Sequence, residues 1–76
     1  KNENQFGYIN FYPNPVSDKI ILNDIRFAGE KYIIFDADGK IADEGMIKYD
    51  NIFVTNLYQG LYYLKMGNEV IKFIKK

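Results

Sequence analysis

Pro13-Asn14-Pro15 stands between two apolar runs, residues 6–12 and 19–23, and it rules out a continuous helix or a central strand there. Each proline lacks a backbone N–H and holds φ near about −65°. Asn14, preceding Pro15, is driven towards extended geometry. Residues 13–18 therefore form a stiff connector that turns the chain between two strands. Ser17, inside that connector, is placed to bond local backbone. The chain has 76 residues, which is room for one domain.

Downstream, one pattern repeats: a short run rich in β-branched and aromatic residues, then a turn signal. The runs cover residues 6–12, 19–23, 31–36, 40–47, 51–55, 61–66 and 69–74. No stretch carries a convincing helical period. About seven strands separated by turns predict an all-β fold, a small seven-stranded antiparallel immunoglobulin-like β-sandwich. Residues 24–30 fit this least well; Ile25 and Phe27 can bury from a loop or from a short edge strand. At 47% hydrophobic and 17% aromatic, the chain is too apolar for a disordered tail.

Two hairpins can be checked against their own patterns. Gly67-Asn68 suits a two-residue type II′ turn, with Gly at the first central position. That register sets Met66 opposite Glu69, Leu64 opposite Ile71 and Tyr62 opposite Phe73, giving one apolar face. Tyr63 with Lys72 and Lys65 with Val70 make the other, more solvated face. A slip of one residue would mix the two sets. Asp38-Gly39 suits a type I′ turn, which would pair Phe35 with Ala42 and Asp36 with Ile41.

The usual catalytic chemistry is missing. With no His and no Cys, the commonest general base and metal ligand are gone, as are disulfides and thiolates. Ser17 has no His to activate it. Asp36-Ala37-Asp38-Gly39 resembles part of a calcium loop. An EF-hand, however, needs ligands at positions 1, 3 and 5, Gly at 6 and Glu at 12. Here Gly39 is fourth, Lys40 fifth and Ile47 twelfth. A hairpin turn is the plainer reading, and no metal or other cofactor is expected. Asp43 and Glu44, as strand neighbours, point to opposite faces, and suit a solvated edge strand. Ten basic and ten acidic residues cancel, against a nucleic-acid binder with its basic excess. No apolar run approaches the ~20 residues of a membrane-spanning helix, so no membrane insertion is expected. The seven tyrosines can form a sugar-stacking platform, but core area with hydroxyls at the rim accounts for them more simply. Lys72, Lys75 and Lys76 read as a basic site or as solubilising charges on a last strand near a sheet edge.

Taken in order, the motifs resemble those of the type A C-terminal sorting domain of the type IX secretion system of Bacteroidetes. That family opens with Pro-Asn-Pro followed shortly by Asp, matched by Pro13, Asn14, Pro15 and Asp18. A strand ending in a Gly-Lys-like turn follows, matched by Asp36 through Lys40, with Gly39 and Lys40 as the turn. Next comes Leu-x-x-Gly-x-Tyr, matched by Leu57, Gly60 and Tyr62. A basic, apolar strand closes the pattern, matched by Lys72, Phe73, Ile74, Lys75 and Lys76. Tyr58 departs from the pattern, standing where the family often has proline or a small residue. The resemblance covers about residues 6–76. Residues 1–5 read as the end of a polar linker, and the chain, which opens on Lys with no signal-peptide pattern, as a fragment of a longer protein.

The resemblance implies a role that composition cannot give. Such a domain is a non-catalytic address label at the C-terminus of a secreted cargo, to which it is covalently joined. It passes through the periplasm, is recognised folded by the outer-membrane translocon, and is then usually removed by a sortase-like attachment complex. The cargo is released or fixed to surface lipopolysaccharide. The hairpin of residues 61–76 is the expected recognition surface, with its solvated face and terminal lysines left free by the core. An accessory carbohydrate-binding or adhesion module is the alternative reading, and a spacer domain a third.

Overall fold

The computed structural model describes residues 11–22 and 25–76. It contains seven strands: β1 (Phe11–Tyr12), β2 (Lys19–Leu22), β3 (Lys31–Asp36), β4 (Ile41–Met46), β5 (Asn51–Phe53), β6 (Gly60–Met66) and β7 (Glu69–Lys75). They form two antiparallel sheets, ordered β1-β2-β5 and β4-β3-β6-β7. With the fourth strand beside the third, and the fifth beside the second, this is an immunoglobulin-like arrangement. The one helical piece among the described residues is a short 3-10 turn, Ile25–Phe27. It buries Phe27, so the ambiguous stretch contributes to the core from a connection and not from an edge strand. Of the first expected strand, residues 6–10 lie outside the described residues, as does Asn23 at the end of the second.

Alternation builds the core. In β6 and β7 every second residue is buried: Tyr62, Leu64 and Met66, then Ile71 and Phe73. Tyr32 and Ile34 of β3 complete that inner face. Ile20, Leu22 and Ile52 face them from the smaller sheet, with Ile20 directly opposite Ile52. The connections add Val16, Ile47, Val54 and Leu57. Burying each such side chain stabilises the fold by roughly 1.5–3 kcal/mol, which is how a chain without disulfides holds together.

The β6–β7 register is the one the alternation requires, with Met66, Leu64 and Tyr62 opposite Glu69, Ile71 and Phe73. The β3–β4 register differs from expectation. Phe35 pairs with Ile41, not Ala42, and the register shifts between Ile34 and Phe35. A type I′ turn needs φ > 0 at Asp38 as well as Gly39, and only Gly39 has it, at 85°. The Asp36 carboxylate accepts the N–H groups of Asp38 (2.9 Å) and Lys40 (3.0 Å). That local cap holds a three-residue loop ending in a left-handed Gly, with an added bulge, in place of the two-residue turn. It also engages the carboxylate that a metal site would have needed.

β4 is an edge of the larger sheet, as the charges Asp43 and Glu44 suggest. Gly45 is packed closely there. A Cβ on Gly45 would lie 3.0 Å from the Tyr32 hydroxyl and 3.2 Å from its ring. The tyrosine ring covers the backbone of an edge glycine, a device that strengthens such positions.

Candidate functional site

Four motifs scattered along the sequence meet at one end of the sandwich. Asp36, where β3 ends, is paired with Tyr62, near the start of β6, and Tyr62 with Phe73 of β7. Gly60 is paired with Lys75. The loop of residues 13–18 then lies on the far side of β7, through a parallel bridge between Val16 and Lys75. The Pro-Asn-Pro loop, the Gly39-Lys40 turn, the Leu57–Gly60 corner and the last strand thus share one end. The Gly67-Asn68 turn and the turn after the 3-10 helix lie at the other.

The Pro-Asn-Pro loop is a latch on β7. Val16 N–H donates to Ile74 O (2.7 Å), and Lys76 N–H donates to Val16 O (2.9 Å). Ile74 N–H donates to the Asn14 side-chain oxygen at 3.1 Å. Val16 itself is 0% exposed. It is the residue that sequence reasoning passed over, although an apolar side chain alone between Pro15 and Ser17 was a usable signal. Both X-Pro peptides of the loop, Tyr12-Pro13 and Asn14-Pro15, are cis. Asp18 contributes through its backbone, its carbonyl accepting from Val54 N–H at 2.8 Å.

The Leu-x-x-Gly-x-Tyr segment is a closed corner between β5 and β6. Leu57 is buried and its N–H donates to Val54 O at 3.0 Å. Gly60 has φ 154°, in the region that favours glycine. Tyr62 donates its hydroxyl to Tyr58 O at 2.8 Å. Its ring stacks on Phe73 with centroids 5.6 Å apart and planes 21° from parallel. A tyrosine near the start of the sixth strand, bonded to backbone a few residues upstream, is the tyrosine corner of immunoglobulin-like sandwiches. It explains why Leu, Gly and Tyr occur at that spacing. Because the Tyr58 carbonyl is the acceptor, any residue can stand at position 58.

The motif residues divide by exposure. Leu57, Tyr62 and Phe73 are buried and build the corner. Pro13, Asn14, Pro15, Asp18, Gly39, Lys40, Gly60, Lys72 and Lys76 are exposed, and Ile74 is half exposed. Lys75 departs from the expected free lysine: it is 8% exposed, on the core side of β7. Its stem covers the core rim, while its ammonium reaches Lys76 O at 3.1 Å. The exposed tyrosines are not gathered on one platform. Tyr58 and Tyr12 lie at the motif end, whereas Tyr49 follows β4 at the opposite end. No group of three or more His, Cys, Asp or Glu among the described residues is placed to hold a metal ion.

The sequence profile of one family, the secretion system C-terminal sorting domain, matches residues 10–76. No curated protein and no solved structure gives a significant match.

Proposed function

This chain belongs to the secretion system C-terminal sorting domain family, and on that premise we propose how the label is read. The family marks a cargo for type IX secretion, hence for export across the cell envelope to the surface or the medium. In our reading the cargo is joined on the N-terminal side, and the folded domain is brought through the periplasm to the outer-membrane translocon. The translocon recognises the motif end together with the solvated side of the β6–β7 hairpin. A sortase-like peptidase then removes the domain, and the cargo is released or attached to lipopolysaccharide. The domain itself performs no catalysis.

One observation carries this reading: motifs far apart in sequence form a single end, latched by Val16 and Asn14. A surface held in its binding shape loses less entropy when bound. The experiment is a secreted reporter fused ahead of residues 1–76 in a type IX-competent strain. Export of the fusion, and its loss on combining Gly60→Ala with removal of residues 72–76, is the expected result. Retention of the intact fusion inside the envelope, or equal export of the altered one, overturns the reading.

A further inference from the structure

The outer face of the β4-β3-β6-β7 sheet carries a local excess of positive charge. Lys31, Lys65 and Lys72 all point outward, on β3, β6 and β7. Ile33 is directly opposite Lys65, and Tyr63 opposite Lys72. Each lysine is therefore the diagonal neighbour of the next, two residues out of register. Diagonal neighbours on one face lie about 7–8 Å apart. The three lysine positions form a diagonal row crossing three strands. Lys31 reaches Glu44 at 3.9 Å. Lys65 and Lys72 have no carboxylate partner among the described residues. Glu44 is the only acidic residue at the outward positions of these strands.

Two exposed lysines without a carboxylate partner leave this face locally positive on a chain of zero net charge, and a patch of one sign favours a partner of the opposite sign. Apolar groups flank the row. Phe35 and Tyr63 are partly exposed, Leu61 and Ile74 more so, and Val70 is 55% exposed beyond Lys65. A purely hydrophilic polyanion would leave these groups without contacts. We propose that this face docks a protein surface in which carboxylates are set among apolar side chains, with Lys65 and Lys72 as the charge contacts. The inference rests on the sorting-domain reading only in placing that partner within the export machinery.

The test has two arms. The first titrates the chain with a random copolymer of Glu and Tyr, and separately with phosphatidylglycerol vesicles, following the amide resonances. Shifts confined to β6 and β7, lost on raising salt and weakened at least about tenfold by Lys65→Glu with Lys72→Glu, are expected. Tight binding to vesicles with none to the copolymer overturns the proposal in favour of a membrane, and binding to neither removes the site. The second arm is export of the reporter fusion. The double reversal should stop it, while Lys48→Glu, off this face, should not. The neutral pair Lys65→Gln with Lys72→Gln should fold as stably as the parent and still bind more weakly. It therefore decides the matter if the reversal disturbs folding. If the parent fusion is not exported, the sorting reading fails and the copolymer titration judges the face alone. If the parent and a folded reversal variant export equally, the face is not a docking surface.

Discussion

Tyr62→Phe isolates one atom of the corner. The ring stays, with its stacking on Phe73 at 5.6 Å, and only the hydroxyl bonded to Tyr58 O at 2.8 Å is lost. The net worth of such a bond is about 0.5–1.5 kcal/mol, and a buried orphaned acceptor would add to the loss. The bond is only partly buried, so water can reach the freed carbonyl in part and the added cost should be small. The expected loss is about 1 kcal/mol. For a domain of this size that lowers Tm by about 4–8 °C. Urea unfolding followed by circular dichroism should show a lower midpoint at unchanged slope, since no extra surface is exposed. Tyr62→Ala, which also removes the ring, should lose about 3–5 kcal/mol, comparable with the whole stability of a small domain. A Tyr62→Phe midpoint equal to the parent's would show that the hydroxyl does not close the corner. A loss above about 3 kcal/mol would mean that it holds more than one bond.

Gly60→Ala should cost about 1–3 kcal/mol through backbone strain. The φ of 154° disfavours a side chain, whereas the nearest atom to a new Cβ is 3.9 Å away; thermal unfolding measures the cost. Gly45→Ala should cost about 1–3 kcal/mol by overpacking against the Tyr32 ring. The same change made in a Tyr32→Phe background should cost less, because the 3.0 Å contact is with the hydroxyl. Burial, with the charge of Asp43 adding to it, pushes the Tyr32 phenol up from its ordinary value. The unfolded chain then releases that proton first as pH rises past about 10, and the folded state binds more protons there. Stability is thus complete below that pH and falls as pH climbs towards the folded value; urea midpoints in alkaline buffer should fall more steeply for the parent than for Tyr32→Phe. Asn14→Ala removes one bond to the Ile74 N–H and leaves the two through Val16. Hydrogen exchange should quicken at Ile74, with a stability loss of about 0.5–1 kcal/mol, and remain slow at Leu64.

Alternation was legible wherever one face of a strand is buried. The β6–β7 register followed from Tyr62, Leu64, Ile71 and Phe73 alone, because a slip would expose all of them. β4 has no such constraint. Its residues are all exposed or only partly buried, so nothing in its pattern could choose between registers. The choice fell to the Asp36 carboxylate, whose preference for the Asp38 and Lys40 amides outweighed the dipeptide rule. Lys75 was misjudged for a related reason. Charge type suggested solvent, but position on β7 put it in phase with Ile71 and Phe73. Phase decided the direction of the stem, and length let the ammonium reach the Lys76 carbonyl. The meeting of the four motifs could not be read from the sequence, since it depends on long-range pairings such as Val16 with Lys75.

That pairing gives the proline triplet a purpose beyond turning the chain. β7 lies at the edge of its sheet, and the end of an edge strand frays unless something ties it down. Val16 supplies the tie. It exchanges bonds with Ile74 and Lys76 while its own side chain is sealed in the core, so the strand end cannot lift without exposing Val16. The tie needs a preceding segment that runs alongside β7 without forming a full strand of its own. Two prolines, each lacking an N–H, meet that need, and the Asn14 side chain supplies the acceptor that binds the Ile74 N–H. Fixing the backbone of a single residue costs about 1–2 kcal/mol. A tail left to order itself on the receptor would bear that cost residue by residue at the moment of binding. In the reading proposed above, folding has already met that cost at Ile74 and Lys76 before any receptor is bound.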